Sequence, residues 1–118
     1  MDYFDELKSL GVDVDEGKER VMGDADLYTM MLDMFVTAID TTPIRPEDFD
    51  GGALDDLIAK VHTLKGTTGN LSIQPLFTRY TQSLGLLREG KNAEAKEAYL
   101  ELLPFQEKIL ECIRRHQG

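Results

Sequence analysis

Apolar residues recur at intervals of three and four along nearly the whole chain and nowhere alternate at period two, so the sequence commits to helices. Tyr28, Leu32, Phe35 and Ile39 predict a helix over about 25–40, with Asp24 as its N-cap and Asp26 near the positive end of its dipole. Pro43 and Pro46 end it. A second helix is expected over about 52–70, following Asp50-Gly51-Gly52, with Leu57, Val61, Leu64 and Leu71 facing inward. Ser72 is placed to cap a third, over about 74–89, whose stripe is Leu76, Tyr80, Leu84 and Leu87; Gly90 sits where a C′ glycine would stop it. A fourth, capped by Asn92, runs toward Arg115 through Tyr99, Leu102, Leu103, Ile109, Leu110 and Ile113. Pro104 lies inside it and predicts a kink or break, because proline removes a hydrogen bond and clashes with the preceding turn. Tyr3, Phe4, Leu7 and Leu10 predict a short N-terminal helix, and residues 15–22 another, stopped by Gly23. The 118 residues therefore read as one all-α domain: short helices over about 1–23, then an antiparallel up-down four-helix bundle over about 24–115.

Charge narrows the partners. The chain carries 22 Asp and Glu against 13 Lys and Arg, a net charge of −9, which argues against nucleic acid. The charge is unevenly spread: residues 1–56 hold 16 acids and 4 bases, residues 57–118 hold 6 acids and 9 bases, so chemistry on an anion belongs to the second half. No apolar run approaches the roughly 18 residues of a membrane span, and the acidic start Met1-Asp2-Tyr3-Phe4-Asp5-Glu6 is unlike a signal peptide. Cys112 is alone, has no disulfide partner in the chain and is expected as a small buried hydrophobe, which suits a reducing cytoplasm. No phosphate-binding loop of the G-x-x-x-x-G-K-[ST] kind is present, so no intrinsic ATP-dependent kinase activity is expected.

The informative stretch is Val61-His62-Thr63-Leu64-Lys65-Gly66-Thr67-Thr68-Gly69-Asn70. On a helix the core stripe passes through Val61, Leu64 and Thr68, which turns His62 to solvent with Lys65, Gly66 and Gly69 on its own face. A glycine inside a helix costs about 1 kcal/mol relative to alanine, so two of them beside an exposed imidazole call for a reason. Close approach of another protein supplies one. An exposed imidazole is substantially neutral at pH 7 and presents a nucleophilic nitrogen, while the Lys65 ammonium would offset charge on phosphoryl oxygens. The ordinary alternative is a solvated histidine with no role. Metal ligation at His62 is disfavoured, since no His, Cys or carboxylate lies three or four residues to either side. His116, in the last turn of its helix, reads as a basic residue at a C-terminus.

The run from His62 to Asn70 resembles the signature of histidine-containing phosphotransfer (HPt) domains, intermediates of two-component phosphorelays. The segment from Gly11 through Gly17, Gly23 and Tyr28 to Phe35 is similar to that family's opening, so the likeness spans about residues 10–115. The sequence departs from the family's pattern at Leu71-Ser72-Ile73, where a small pair is common, and at Leu84-Gly85-Leu86-Leu87, where an acid often follows the leucine. The resemblance implies His62 as phosphoacceptor, Lys65 as phosphoryl stabiliser, and Gly66 as the position that leaves room for the partner; Gly69, on the same face, is expected to add to that room. It also implies a monomeric cytoplasmic phosphocarrier that is not itself a turnover enzyme. Its partners would be response-regulator receiver domains, which bring their own Mg²⁺, and a sensor histidine kinase; it would hold no cofactor or metal. The competing expectations are a degenerate bundle that only binds such partners, the dimerising hairpin of a sensor kinase, and a phosphotransfer module cut from a longer kinase. Leu27, Met30, Met34 and Ala38 form a second apolar stripe, either buried beneath Tyr3-Phe4-Leu7-Leu10, the ordinary expectation, or exposed for docking. Lys60, Arg79 and Arg88 are candidates for a basic rim.

Overall fold

Asp2, Asp13 and Asp24 each accept a hydrogen bond from the backbone N–H three residues on, at 2.9, 3.1 and 3.0 Å, and each opens a helix. In this computed structural model, which describes residues 2–117, those helices are α1 (Tyr3–Ser9), α2 (Val14–Glu19) and α3 (Ala25–Thr41). A 3₁₀ helix over Pro46–Asp50 leads to α4 (Leu54–Asn70), α5 (Gln74–Arg88) and α6 (Asn92–His116). There is no strand among the described residues, only an isolated bridge between Val12 and Ile73. The fold is all-helical, as the periodicity predicts.

The turns explain how the long helices meet. At the end of α5 the Lys91 N–H donates to Leu86 O at 2.9 Å and the Gly90 N–H to Leu87 O at 3.1 Å, with Gly90 at φ +77°. This is the double bond of a Schellman stop, and Gly90 adopts the left-handed conformation without a Cβ penalty. The end of α4 repeats the pattern: Ile73 N–H donates to Thr68 O and Ser72 N–H to Gly69 O, at 2.9 and 3.1 Å. Here the left-handed position is Ser72, at φ +57°. Ser72 therefore does not cap α5. Its hydroxyl instead donates to Glu16 Oε1 at 2.8 Å, and its carbonyl accepts from Asp13 N–H at 2.9 Å, which binds α2 to the α4–α5 turn.

Three further expectations are corrected. Asn92 is the first residue of α6 rather than its cap, the preceding position being Lys91 with no side-chain bond. The helix expected from residue 52 begins at Leu54, and the segment before it folds into the 3₁₀ helix, whose Phe49 is buried against Tyr99 with ring centroids 5.3 Å apart. Helix α6 runs without a break through Pro104, so of the kink or break expected there the break is absent. Pro104 lies on the exposed side, as does Leu100, whose carbonyl the proline leaves without its helical donor, so water can satisfy that carbonyl.

Leu32, Phe35, Leu57, Leu64, Leu76, Leu84, Leu102 and Ile109 fill the interior between the long helices, with α5 packing most extensively against α6 and α4. Three buried hydroxyls find partners on other elements. Tyr28 donates to Leu71 O at 2.8 Å, Tyr80 to Gln106 Oε1 at 2.5 Å and Ser83 to Ala95 O at 2.9 Å. Leu7 of α1 enters the core and Phe4 meets Tyr28 edge-on at 6.0 Å, but α1 packs on α6 and α2 rather than over the second stripe of α3. Leu27, Met30 and Met34 are accordingly exposed, and the expectation that α1 buries them is wrong; Ala38 is half-buried.

Candidate functional site

Helix α4 buries Leu57, Val61, Leu64 and Thr68 and turns the residues between them outward. Its threonines are self-sufficient. Thr63, Thr67 and Thr68 each donate a hydroxyl to the carbonyl four residues back, at 3.0, 3.0 and 2.8 Å, so none competes for groups on the outer face. His62 is exposed, Lys65 is half-buried one turn further on, and no ion pair engages either among the described residues. Both are thus held at helical spacing on a rigid element, with their charges and lone pairs uncommitted.

The two glycines differ. Around Gly66 nothing lies within 4 Å of where a Cβ would stand, so the space over that turn is open. At Gly69 a Cβ would come within 2.9 Å of two carbons of the Phe77 ring on α5. Gly69 therefore has a packing reason inside this chain, which the outward-facing reading does not anticipate. Beside the two glycines lies a hollow of about 250 Å³, lined also by Glu16, Arg20, Asn70, Gln74 and Phe77. Glu16 and Arg20 pair across one turn at 3.1 Å. The Ser72 hydroxyl, and after it Arg20, hold the Glu16 carboxyl below its ordinary range.

Glu16, Arg20, Gln74 and Phe77 are site-lining residues that sequence reasoning does not reach. The Glu16–Arg20 spacing signals a local helix pair, but nothing in the sequence says that α2 lies against the far end of α4. Two of the three candidates for a basic rim are engaged elsewhere. Lys60 donates to Pro43 O at 3.1 Å, on the other side of α4 from His62. Arg79 stacks on Phe105 at 4.2 Å and donates to Pro75 O, and Arg88 stands exposed in the last turn of α5.

On the opposite flank of α4, a smaller hollow of about 170 Å³ is lined by Met31, Met34, Thr67, Asn70 and Leu71. It joins the exposed apolar strip of α3 to the outer surface of α4. The imidazole thus belongs to a helix face bordered by the Glu16–Arg20 hollow on one side and by methionines on the other. His62 itself stands exposed on this face. No helix among the described residues is long and apolar enough to cross a membrane. Comparison with models of protein families, with curated proteins and with solved structures finds no match for this chain.

Proposed function

We propose that this chain is a histidine phosphotransfer protein of the HPt kind, in which α3 to α6 act as an antiparallel up-down four-helix bundle that presents His62. The observation that carries the reading is the conjunction on α4: an exposed, uncommitted imidazole, an ammonium one turn away, and an unfilled position at Gly66. The connections 71–73 and 89–91, each closed by a Schellman stop, support the bundle topology by turning the chain back between long helices.

In this mechanism a receiver domain carrying an aspartyl phosphate docks over α4, with its own Mg²⁺ on the phosphoryl oxygens. The lone pair of a His62 ring nitrogen, Nε2 as the outermost one, forms the P–N bond in line. The P–O bond to the aspartyl group breaks, and its electron pair returns to the receiver's carboxylate. Lys65 offsets phosphoryl charge, and the missing side chain at Gly66 admits the donor. A second receiver reverses the step. The protein supplies a nucleophile, an ammonium and a shape, and relies on a separate sensor kinase for the phosphoryl group.

The test is transfer from a panel of phosphorylated receiver domains with Mg²⁺, wild type beside His62→Gln. Acid-labile, base-stable label on the wild type alone is the expected result, with unchanged helical circular dichroism for the variant. Label on both proteins moves the acceptor away from His62. Binding of receivers without label on either leaves a docking module and overturns transfer.

A further inference from the structure

Cys112 and His116 lie four residues apart on one face of α6, near its C-terminal end, and Glu6 of α1 reaches them from the opposite terminus of the chain. One donor atom from each, a thiol sulfur, an imidazole nitrogen and a carboxylate oxygen, lies within 4.8 Å of the other two. His116 Nε2 stands 3.9 Å from Glu6 Oε1. Cys112 is fully buried, whereas the side chains of Glu6 and His116 retain 21% and 33% exposure, so the cluster is closed on the core side and open to solvent beside the imidazole. Tyr3 stacks on His116 with centroids 4.4 Å apart and planes at 18°, which fixes the ring. The Tyr3 hydroxyl is buried and has no hydrogen-bond partner among the described residues.

We propose that Glu6, Cys112 and His116 form a binding site for a zinc-type divalent cation that clasps α1 to the end of α6. A tetrahedral zinc ion at about 2.0–2.3 Å from its ligands holds them roughly 3.3–3.8 Å apart, so the three donors need to close by about an ångström. Arg115 now holds the carboxylate, more loosely at Oε1 (3.2 Å) than at Oε2. Oε1, the oxygen nearer His116, turns to the ion, and Oε2 stays with Arg115, which orients the ligating carboxylate. The Cys112 S–H bond is replaced by a sulfur–metal bond, and its proton goes to solvent. Water completes the fourth position. A sulfur–nitrogen–oxygen set favours zinc over Mg²⁺ or Ca²⁺, which take oxygen donors. The clasp is remote from the His62 chemistry and does not depend on it.

The experiment titrates the full, tag-free chain with Co²⁺ as spectroscopic probe and then with Zn²⁺. The expected result is a thiolate-to-cobalt charge-transfer band with tetrahedral visible bands, bleached by Zn²⁺, and a Tm rise of about 10 °C at Zn²⁺ 100-fold above its Kd. His116→Ala, at an exposed position that keeps the fold, weakens binding at least about tenfold, and Cys112→Ser removes the charge-transfer band. His62→Gln binds as wild type does. Co²⁺ bound without a thiolate band, an equal Zn²⁺ shift in His116→Ala, or an equal shift with Mg²⁺ would each overturn the site and leave an ion pair packed on a buried thiol.

Discussion

A methyl group added at Gly17 would stand 2.4 Å from Cε1 of Tyr28 and 2.9 Å from the carbonyl oxygen of Leu71. Neither can yield easily, because Tyr28 is fully buried and its hydroxyl is bonded to that same carbonyl. Gly17→Ala should therefore cost about 3 kcal/mol through overpacking, despite the better helix propensity of alanine. At Gly69 the neighbour is the half-buried ring of Phe77, which can swing; the gain in propensity and the cost of moving the ring should roughly cancel. At Gly66 nothing opposes the methyl, so Gly66→Ala should stabilise the chain by about 1 kcal/mol. Urea denaturation of the three variants checks the order: loss at 17, near-neutrality at 69, gain at 66. A glycine whose replacement stabilises the free protein serves something other than its fold. In the phosphotransfer reading the same Gly66→Ala protein transfers more slowly, and a variant that is both more stable and equally fast would remove that support.

At the level of elements, the α4–α5 turn puts a serine where glycine is the usual choice, and the compensation comes from another helix. The Ser72 hydroxyl donates to Glu16, Arg20 pairs with the same carboxylate, and together they hold it below its ordinary value of 4.5. A carboxyl depressed by folding adds stability that is fully present above its unfolded value and lost as pH falls through the folded one. Stability should thus decline below pH 4.5, and Glu16→Gln should lower stability at pH 7 while flattening that acid limb; chemical denaturation at stepped pH measures both. Glu6, lowered by Arg115, acts with the same sign, so the limb persists in part in the variant. This turn also shows where sequence reading stops. The long helices, the Asp24 cap and the Gly90 stop are legible because their signals lie within a few residues of what they specify. Ser72 reads locally as an N-cap, and only the arrival of Glu16, from far upstream, turns its hydroxyl elsewhere. The 3₁₀ helix was hidden for a related reason: Pro46 reads as a breaker, whereas burial of Phe49 against Tyr99 of α6 gives the segment its form.

Across the whole molecule the candidate chemistry was more legible than its surroundings. His62, Lys65 and Gly66 follow from phase along one helix, which the sequence fixes once the core stripe is known. The Glu16–Arg20 hollow, the clasp residues and the fate of the α3 stripe depend on how distant elements are set against one another, which no spacing encodes. Leu27, Met30 and Met34 illustrate the point, since α1 could have covered them and instead packs on α6 and α2. Exposed single apolar residues are ordinary, but these three share one face of α3 and run into the hollow that Met31, Met34 and Thr67 make against α4. Methionine suits such a strip, because its flexible polarizable chain accommodates more than one partner surface. Met34→Glu should leave stability within about 0.5 kcal/mol, since the side chain is 62% exposed. If receivers dock there, the variant raises the receiver concentration for half-maximal transfer roughly tenfold with little change in the rate at saturation, and Met34→Leu restores it. A fall in the saturating rate alone would place Met34 in the alignment of His62 rather than in docking. Unchanged kinetics would move the partner's footprint to the other flank of α4, where Arg20 and Gln74 border the open turn at Gly66.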